Sequence, residues 1–270
     1  MSDPGARRTI LIAGGGTGGH LMPALAIAAA IRDRAPHLEP MLIGAVRGVE
    51  AQILPSRDFR YRLLPSEPIY RHTWWRNFRW PAVAGRLIRE LRELFERERP
   101  VAVLGTGGYA SGPVVWWAAR QGIPTAIQEQ NAFPGVATRW LGRRVRHIYL
   151  GLPEARRLIR LGPDTRVFDT GNPITPPTPG RRAAALEFFG LDGKRPVVLV
   201  TGGSQGALAI NRAVAGWIDG GGAGGSALLW VTGRATYEEF SRYHRLPEVR
   251  VVDFLDPMVD AYAVADVVVS

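Results

Sequence analysis

With 270 residues, 46% of them hydrophobic, the chain is long enough to bury a substantial core and too apolar for a disordered polymer. It has no cysteine, which excludes a disulfide framework, a thiolate metal site and a cysteine nucleophile; its five histidines (His20, His37, His72, His147, His244) lack metal-ligand spacing. The formal charge of +10 comes from 34 basic against 24 acidic residues, almost all the basic ones arginine, and favours an anionic partner: nucleic acid, acidic lipid or a phosphorylated substrate.

The first residues run directly into a short strand, without a signal peptide's long apolar stretch, and the longest helical apolar run, Leu21 to Ile31, is too short to span a bilayer. This reads as a soluble or peripheral protein. Short β-rich runs then alternate with helical patterns. Strands are expected at Thr9 to Ala13, Met41 to Gly44, Tyr61 to Leu64, Val101 to Leu104, Thr125 to Gln128, His147 to Leu150 and Val167 to Thr170. Such alternation predicts an α/β fold with parallel sheets covered on both faces.

Next comes "TGNPITPPTPGRR", with Pro173, Pro176, Pro177 and Pro179 close together, a stiff connector that predicts a boundary between a domain at 1–172 and another at 173–270. Strands resume at Pro196 to Thr201, Ala227 to Thr232, Arg250 to Phe254 and Asp266 to Ser270, with "DGGGAGGSA" as a loop tip. The closing "ADVVVS" reads as a buried strand without the helix that should cover it. The expectation is a second domain that is incomplete.

Three glycine loops each follow a strand and precede an apolar helix: "GGGTGGH" (Gly14 to His20), "GTGGYASGP" (Gly105 to Pro113) and "GGSQGA" (Gly202 to Ala207). Glycine permits positive φ and close approach to bare N–H groups, and a helix N-terminus adds partial positive charge, so the pattern suits phosphate; the plainer reading is tight strand-to-helix turns. The first loop formally contains GxGxxG at Gly14, Gly16 and Gly19. A dinucleotide site would want an acid after the second strand, where Ala45, Val46 and Arg47 stand, and a P-loop would want a lysine that none of the loops has. No Asp-x-Asp occurs, so a departing diphosphate would depend on helix N-termini and arginines rather than a divalent cation.

His20 ends the first loop. It can be read as a packing or capping residue, or as a neutral imidazole able to take a proton from an attacking hydroxyl. In "IQEQNAFPG", Glu129, Gln130 and Asn131 fall just past a strand, where they could bond sugar hydroxyls or form a polar turn capped by Asn131. Trp74, Trp75, Phe78 and Trp80 are threaded by Arg71, Arg76 and Arg79, a mix that suits an anionic membrane surface, could stack single-stranded bases, or could pack beneath a loop. Leu87, Leu91, Leu94 and Phe95 recur at helical spacing as core; Trp116 and Trp117 could extend the patch.

With "GGTGGH", "GTGGYASGP", "EQN", "GNPI", "GGSQGA" and "FLDPMVDAYAVADVVVS" in that order, essentially the whole chain resembles the MurG family of bacterial glycosyltransferases. The resemblance implies a GT-B fold, two Rossmann-like doubly wound domains facing a cleft, the first binding acceptor and the second donor. It implies transfer of N-acetylglucosamine from UDP-N-acetylglucosamine to the muramoyl 4-hydroxyl of undecaprenyl-linked lipid I, giving lipid II for peptidoglycan synthesis. Inversion without a covalent intermediate, no metal or other cofactor, no nucleic acid partner, and peripheral attachment at the cytoplasmic face of the inner membrane come with it.

Carried over by residue, Thr17, Gly18 and Gly19 would approach the donor sugar and acceptor diphosphate, and His20 would be the candidate base. Asn131 would hold the donor sugar, Tyr109 and Glu129 would line the cleft (Glu129 as the other candidate base), and Ser204, Gln205 and Gly206 would cradle the donor diphosphate. Leu255 would meet uracil through its backbone, and the tryptophan–arginine patch (Trp74, Trp75, Arg76, Phe78, Arg79, Trp80) would touch the membrane. Thr175 stands where the family commonly has a donor-contacting arginine, a contact that Arg181 or Arg182 could supply. The family also continues past "DVVVS" into a segment that grips the nucleotide, so weak or no transfer is expected of the 270-residue chain. A related GT-B lipid glycosyltransferase, a UDP-sugar 2-epimerase, an NAD-dependent oxidoreductase and a non-catalytic lipid-diphosphate binder are the alternatives.

Overall fold

A computed structural model describes residues 7–67, 80–174, 179–203 and 206–270. The chain divides into two units, Met1–Ile174 and Thr175–Ser270. In the first, β1 (Arg8–Gly14), β2 (Leu38–Ala45), β3 (Arg60–Leu64), β4 (Ala102–Gly107), β5 (Thr125–Glu129), β6 (His147–Leu150) and β7 (Arg166–Asp169) form one parallel sheet in the order β3-β2-β1-β4-β5-β6-β7. The helices between them are α1 (Gly18–Arg34), α2 (Glu50–Ile53), α3 (Trp80–Glu98), α4 (Gly108–Arg120) and α5 (Val136–Leu141). Strand order reverses between β1 and β4, the topological switch point at whose carboxyl ends doubly wound sheets bind their ligands. The first two glycine loops lie there.

Leu11, Ile12 and Ala13 of β1 are wholly buried, the continuous apolar run of a strand covered on both sides. Leu91, Leu94 and Phe95 of α3 pack into the same core as the helical spacing predicts, and Leu87 packs against it. Two strands outrun an expected end by three residues. β2 starts at Leu38, and β4 continues to Gly107 because the loop glycines keep pairing, Gly14 beside Gly107. The expectation of full cover on both sheet faces fails on one half: Ala102, Ala126, Gln128 and Tyr149, with Ile27 and Ile31 of α1, line an open cavity of 1310 Å³.

Helices α1 and α4 share a feature that sequence periodicity does not explain. Each carries a proline one turn in, Pro23 and Pro113, which removes the N–H that would bond the carbonyl four residues earlier. For Pro113 that carbonyl belongs to Tyr109. The Ser66 hydroxyl donates to it instead, at 2.8 Å.

The second unit holds α6 (Arg182–Phe189), β8 (Val197–Thr201), α7 (Leu208–Asp219), β9 (Ala227–Val231), α8 (Tyr237–Phe240), β10 (Val249–Val252), α9 (Val259–Val264) and β11 (Val267–Val269), its parallel sheet ordered β10-β9-β8-β11. Asn211 of α7 is fully buried yet satisfied. It accepts from Trp230 Nε1 at 2.9 Å and donates to the Thr232 carbonyl at 2.8 Å, tying helix to strand. The closing valines pair with β8 as the strand reading expected and are 53, 48 and 44% exposed, a strand without cover among the described residues. An edge strand is buried only by what packs on its faces and free side.

Among the described residues, no helix is long and apolar enough to cross a membrane, and no group of three or more His, Asp or Glu side chains could hold a metal ion.

Candidate active site at the ends of β1, β4 and β5

His20 is the third residue of α1 and half-buried. Thr17, the N-cap, turns its hydroxyl to the imidazole instead of capping the helix: Thr17 Oγ1 lies 3.1 Å from His20 Nδ1. The His20 carbonyl accepts from Thr106 Oγ1 at 2.8 Å, and the Thr106 carbonyl accepts from Gln130 Nε2 at 2.8 Å. Three loop regions, after β1, β4 and β5, are thereby linked around one ring.

Four loop glycines serve this interlock. Gly107 and Gly108 have φ of +101° and +78°, and a Cβ on Gly107 would stand 2.5 Å from His20 Cδ2, one on Gly108 1.8 Å from the Gly15 carbonyl oxygen. Gly16, at φ +91°, leaves room for the Tyr109 ring, which a Cβ there would meet at 2.7 Å, and one on Gly14 would run into Thr106 Oγ1. Glycine here lets one loop lie on the other, a purpose separate from ligand approach.

Burial lowers the His20 pKa below its ordinary value of 6.5, and the charges of Glu129 and Glu50 oppose that shift. The ring is therefore held neutral near pH 7. A neutral imidazole can accept a proton; an imidazolium cannot.

Glu129 ends β5 and is 4% exposed. Its Oε1 accepts from the Asn131 backbone N–H (3.1 Å) and side-chain Nδ2 (3.0 Å), its Oε2 from the Gly135 N–H (3.0 Å) and Thr138 Oγ1 (2.7 Å). These bonds shape the turn into α5 and hold Asn131, itself exposed, in place. Asn172, from the "GNPI" stretch, donates to the Gln130 carbonyl and accepts from Gln128 Nε2, both at 3.3 Å.

Among the residues named from sequence, Thr17, Gly18, Gly19, His20, Tyr109, Glu129 and Asn131 thus gather at the carboxyl ends of β1, β4 and β5 of the first unit, in the turns and the first turns of α1 and α4. Gly206 and Leu255 belong to the second. There the Gly206 N–H donates to the Gly203 carbonyl at 3.1 Å just before α7, and a Cβ on Gly206 would meet the Thr232 carbonyl, so this turn rests on the end of β9. Leu255 is half-buried against the second core. Thr175, Ser204, Gln205, Trp74, Trp75, Arg76, Phe78 and Arg79 lie outside the described residues, as does the side chain of Trp80, which opens α3.

The sequence reading missed Glu50 and Ser66. Glu50 is an isolated acid in "GVEAQI", and Ser66 a lone serine; neither has a pattern around it. In the structure both are buried, Glu50 completely, with hydrogen bonds into the glycine loops.

The glycosyltransferase family 28 N-terminal domain matches residues 10–150 and the family 28 C-terminal domain residues 197–270. A UDP-N-acetylglucosamine–N-acetylmuramyl-(pentapeptide) pyrophosphoryl-undecaprenol N-acetylglucosamine transferase of Parabacteroides distasonis is 34% identical over 97% of this chain and 72% of its own length. Among solved structures, Acinetobacter baumannii MurG (TM-score 0.60, 21% identity) covers 97% of this chain, with 72% of its own length matched. A putative UDP-N-acetylglucosamine 2-epimerase from Listeria monocytogenes (TM-score 0.66, 14% identity) covers 97% as well, with 74% of its own length matched. The fold is thus shared with an epimerase and does not choose the chemistry. By its sequence relationship the chain belongs to the MurG family of GT-B glycosyltransferases within glycosyltransferase family 28.

Proposed function

We propose that this protein transfers N-acetylglucosamine from UDP-N-acetylglucosamine to the muramoyl 4-hydroxyl of undecaprenyl-linked lipid I, with inversion, giving lipid II. The observation that carries the reading is the His20 ring, kept neutral by burial and seated on two interlocked loops where the strand order reverses. In the tautomer the base role requires, Nδ1–H donates to Thr17 Oγ1 and Nε2 has a free lone pair. Nε2 then takes the hydroxyl proton as that oxygen attacks the anomeric carbon, and the bond to UDP breaks with its electron pair on the diphosphate. Glu129 and Glu50 favour the imidazolium so formed.

Both oxygens of Glu129 are engaged in the turn, which supports a role in placing Asn131 and His20 over one as base. The first turn of α7, after Gly206, offers unpaired N–H groups and the positive end of a twelve-residue helix to the donor diphosphate. No step in this scheme requires a divalent cation. Peripheral attachment to an anionic membrane is supported by α5 and the loop before it: Phe133, Val136 and Trp140 are 66, 56 and 54% exposed, with Arg139 over Phe133 and Arg144 over Trp140.

The test is transfer of labelled N-acetylglucosamine to a lipid I analogue with EDTA present. It is run on the chain as it stands and on the same chain extended to the length of its relatives. Labelled product from either supports the reading; none from both overturns it.

A further inference from the structure

Glu50 is wholly buried, and the partners of its carboxylate are backbone N–H groups. Oε2 accepts from Gly16 at 2.8 Å; Oε1 accepts from Gly16 at 3.1 Å and from Ala45 at 2.7 Å. Ala45 ends β2 and Gly16 lies in the middle of the first glycine loop, so one side chain from α2 bonds two separate strand ends. The space it fills is made by glycines. A Cβ on Gly15, Gly44 or Gly48 would stand 2.1, 2.3 or 2.2 Å from Glu50 side-chain atoms. Gly15 from the first loop, with Gly44 and Gly48 from the stretch leading into α2, clears the way for one side chain, and a buried carboxylate is tolerated only when donors surround it.

We propose that Glu50 is a positioning residue, an internal anion that fills the back of the first glycine loop, fixes Gly16 at positive φ, and so sets where His20 stands. This rests on the reading of His20 as the base. It also revises the simplest view of "GGGTGGH" as a phosphate cradle. The Gly16 N–H is already engaged, which leaves the first turn of α1, Gly18 and Gly19, to face an acceptor diphosphate. The groups that act on His20 are the carboxylates of Glu129 from β5 and Glu50 from α2, with the hydroxyl of Thr17 on Nδ1 and the uncharged backbone of Gly107 and Gly108 against the ring.

The experiment compares wild type with Glu50→Gln and Glu50→Asp. NMR gives amide exchange at Gly16 and Ala45 and the titration of the His20 ring, and transfer kinetics give kcat and KM. Gln sets an amide donor against the Gly16 N–H and removes a charge; Asp keeps the charge but is one methylene short. In Glu50→Gln, Gly16 exchange is expected to rise at least about tenfold and the His20 midpoint to move to lower pH, since Glu129 alone then opposes burial; kcat is expected to fall about tenfold or more at little-changed KM for UDP-N-acetylglucosamine. Glu50→Asp is expected to lose the Gly16 protection while its His20 midpoint stays closer to wild type, and it decides the matter if the Gln variant does not fold. Unchanged Gly16 exchange and His20 titration in a folded variant would overturn the proposal. A wild-type chain that folds but transfers nothing sinks the proposed function, whereas exchange and titration still decide the role of Glu50.

Discussion

His20 stands against the bare backbone of Gly107, where a Cβ would come within 2.5 Å of its Cδ2 and 3.0 Å of its Nε2. The loop after β4 is therefore shaped to the imidazole held by α1. Gly107→Ala adds that clash to the strain of a side chain at φ +101°. Gly122, at φ +72° with nothing near its absent Cβ, carries only the strain. Gly122→Ala is expected to cost about 1 kcal/mol by chemical denaturation with transfer unchanged, and Gly107→Ala roughly 2–3 kcal/mol together with most of kcat. Equal effects of the two substitutions would mean that the ring does not depend on Gly107.

The pH dependence follows from the lowered pKa of His20. Between its folded pKa and the ordinary 6.5, the unfolded chain binds more protons than the folded one, so the contribution of His20 to stability is lost as pH falls through that window and is flat above it. Denaturation of wild type and His20→Ala at pH 8 and pH 5 is expected to show the substitution relatively less damaging at pH 5. The acid limb of kcat/KM is expected below pH 6.5, because the base must be neutral.

Ser66 supplies the bond that Pro113 withholds from the Tyr109 carbonyl. Ser66→Ala leaves that carbonyl without its hydroxyl donor and is expected to cost roughly 1–3 kcal/mol. Pro113→Ala restores an N–H one turn along the helix. The double variant should then recover much of the loss, and a double-mutant cycle measures the coupling. Strictly additive effects would separate the two residues.

In the second unit, Asn211→Leu strands the Trp230 indole N–H and removes a donor from the Thr232 carbonyl. The buried indole N–H loses its partner while the Thr232 carbonyl keeps the Thr236 hydroxyl, so a destabilisation of about 2 kcal/mol is expected in urea denaturation. A cost under about 1 kcal/mol would mean that water or a neighbour takes the place of Asn211.

The sheets were legible because buried parallel strands need uninterrupted apolar runs, and β1, β8 and β9 supply them. The glycine loops were legible as well, since glycine is the one residue free at positive φ. Their purpose was not. Gly107 and Gly108 are bare to admit His20 and the Gly15 carbonyl, and Gly15 to admit Glu50, contacts between segments far apart in sequence; Gly44 and Gly48 clear the same carboxylate from nearby in the chain. Glu129 had two readings in the sequence, a bond to sugar hydroxyls or a polar turn, and its four hydrogen bonds, all within the turn into α5, come from backbone and side chains that the sequence does not place around it.

The central claim is that His20 removes the acceptor proton. The most direct measurement is kcat and KM for transfer by His20→Ala, in a chain shown to transfer as wild type. A fall in kcat of about a hundredfold or more, with KM for UDP-N-acetylglucosamine little changed, is the predicted result. Unchanged kcat would contradict the account and leave His20 as a residue that only packs the two loops together.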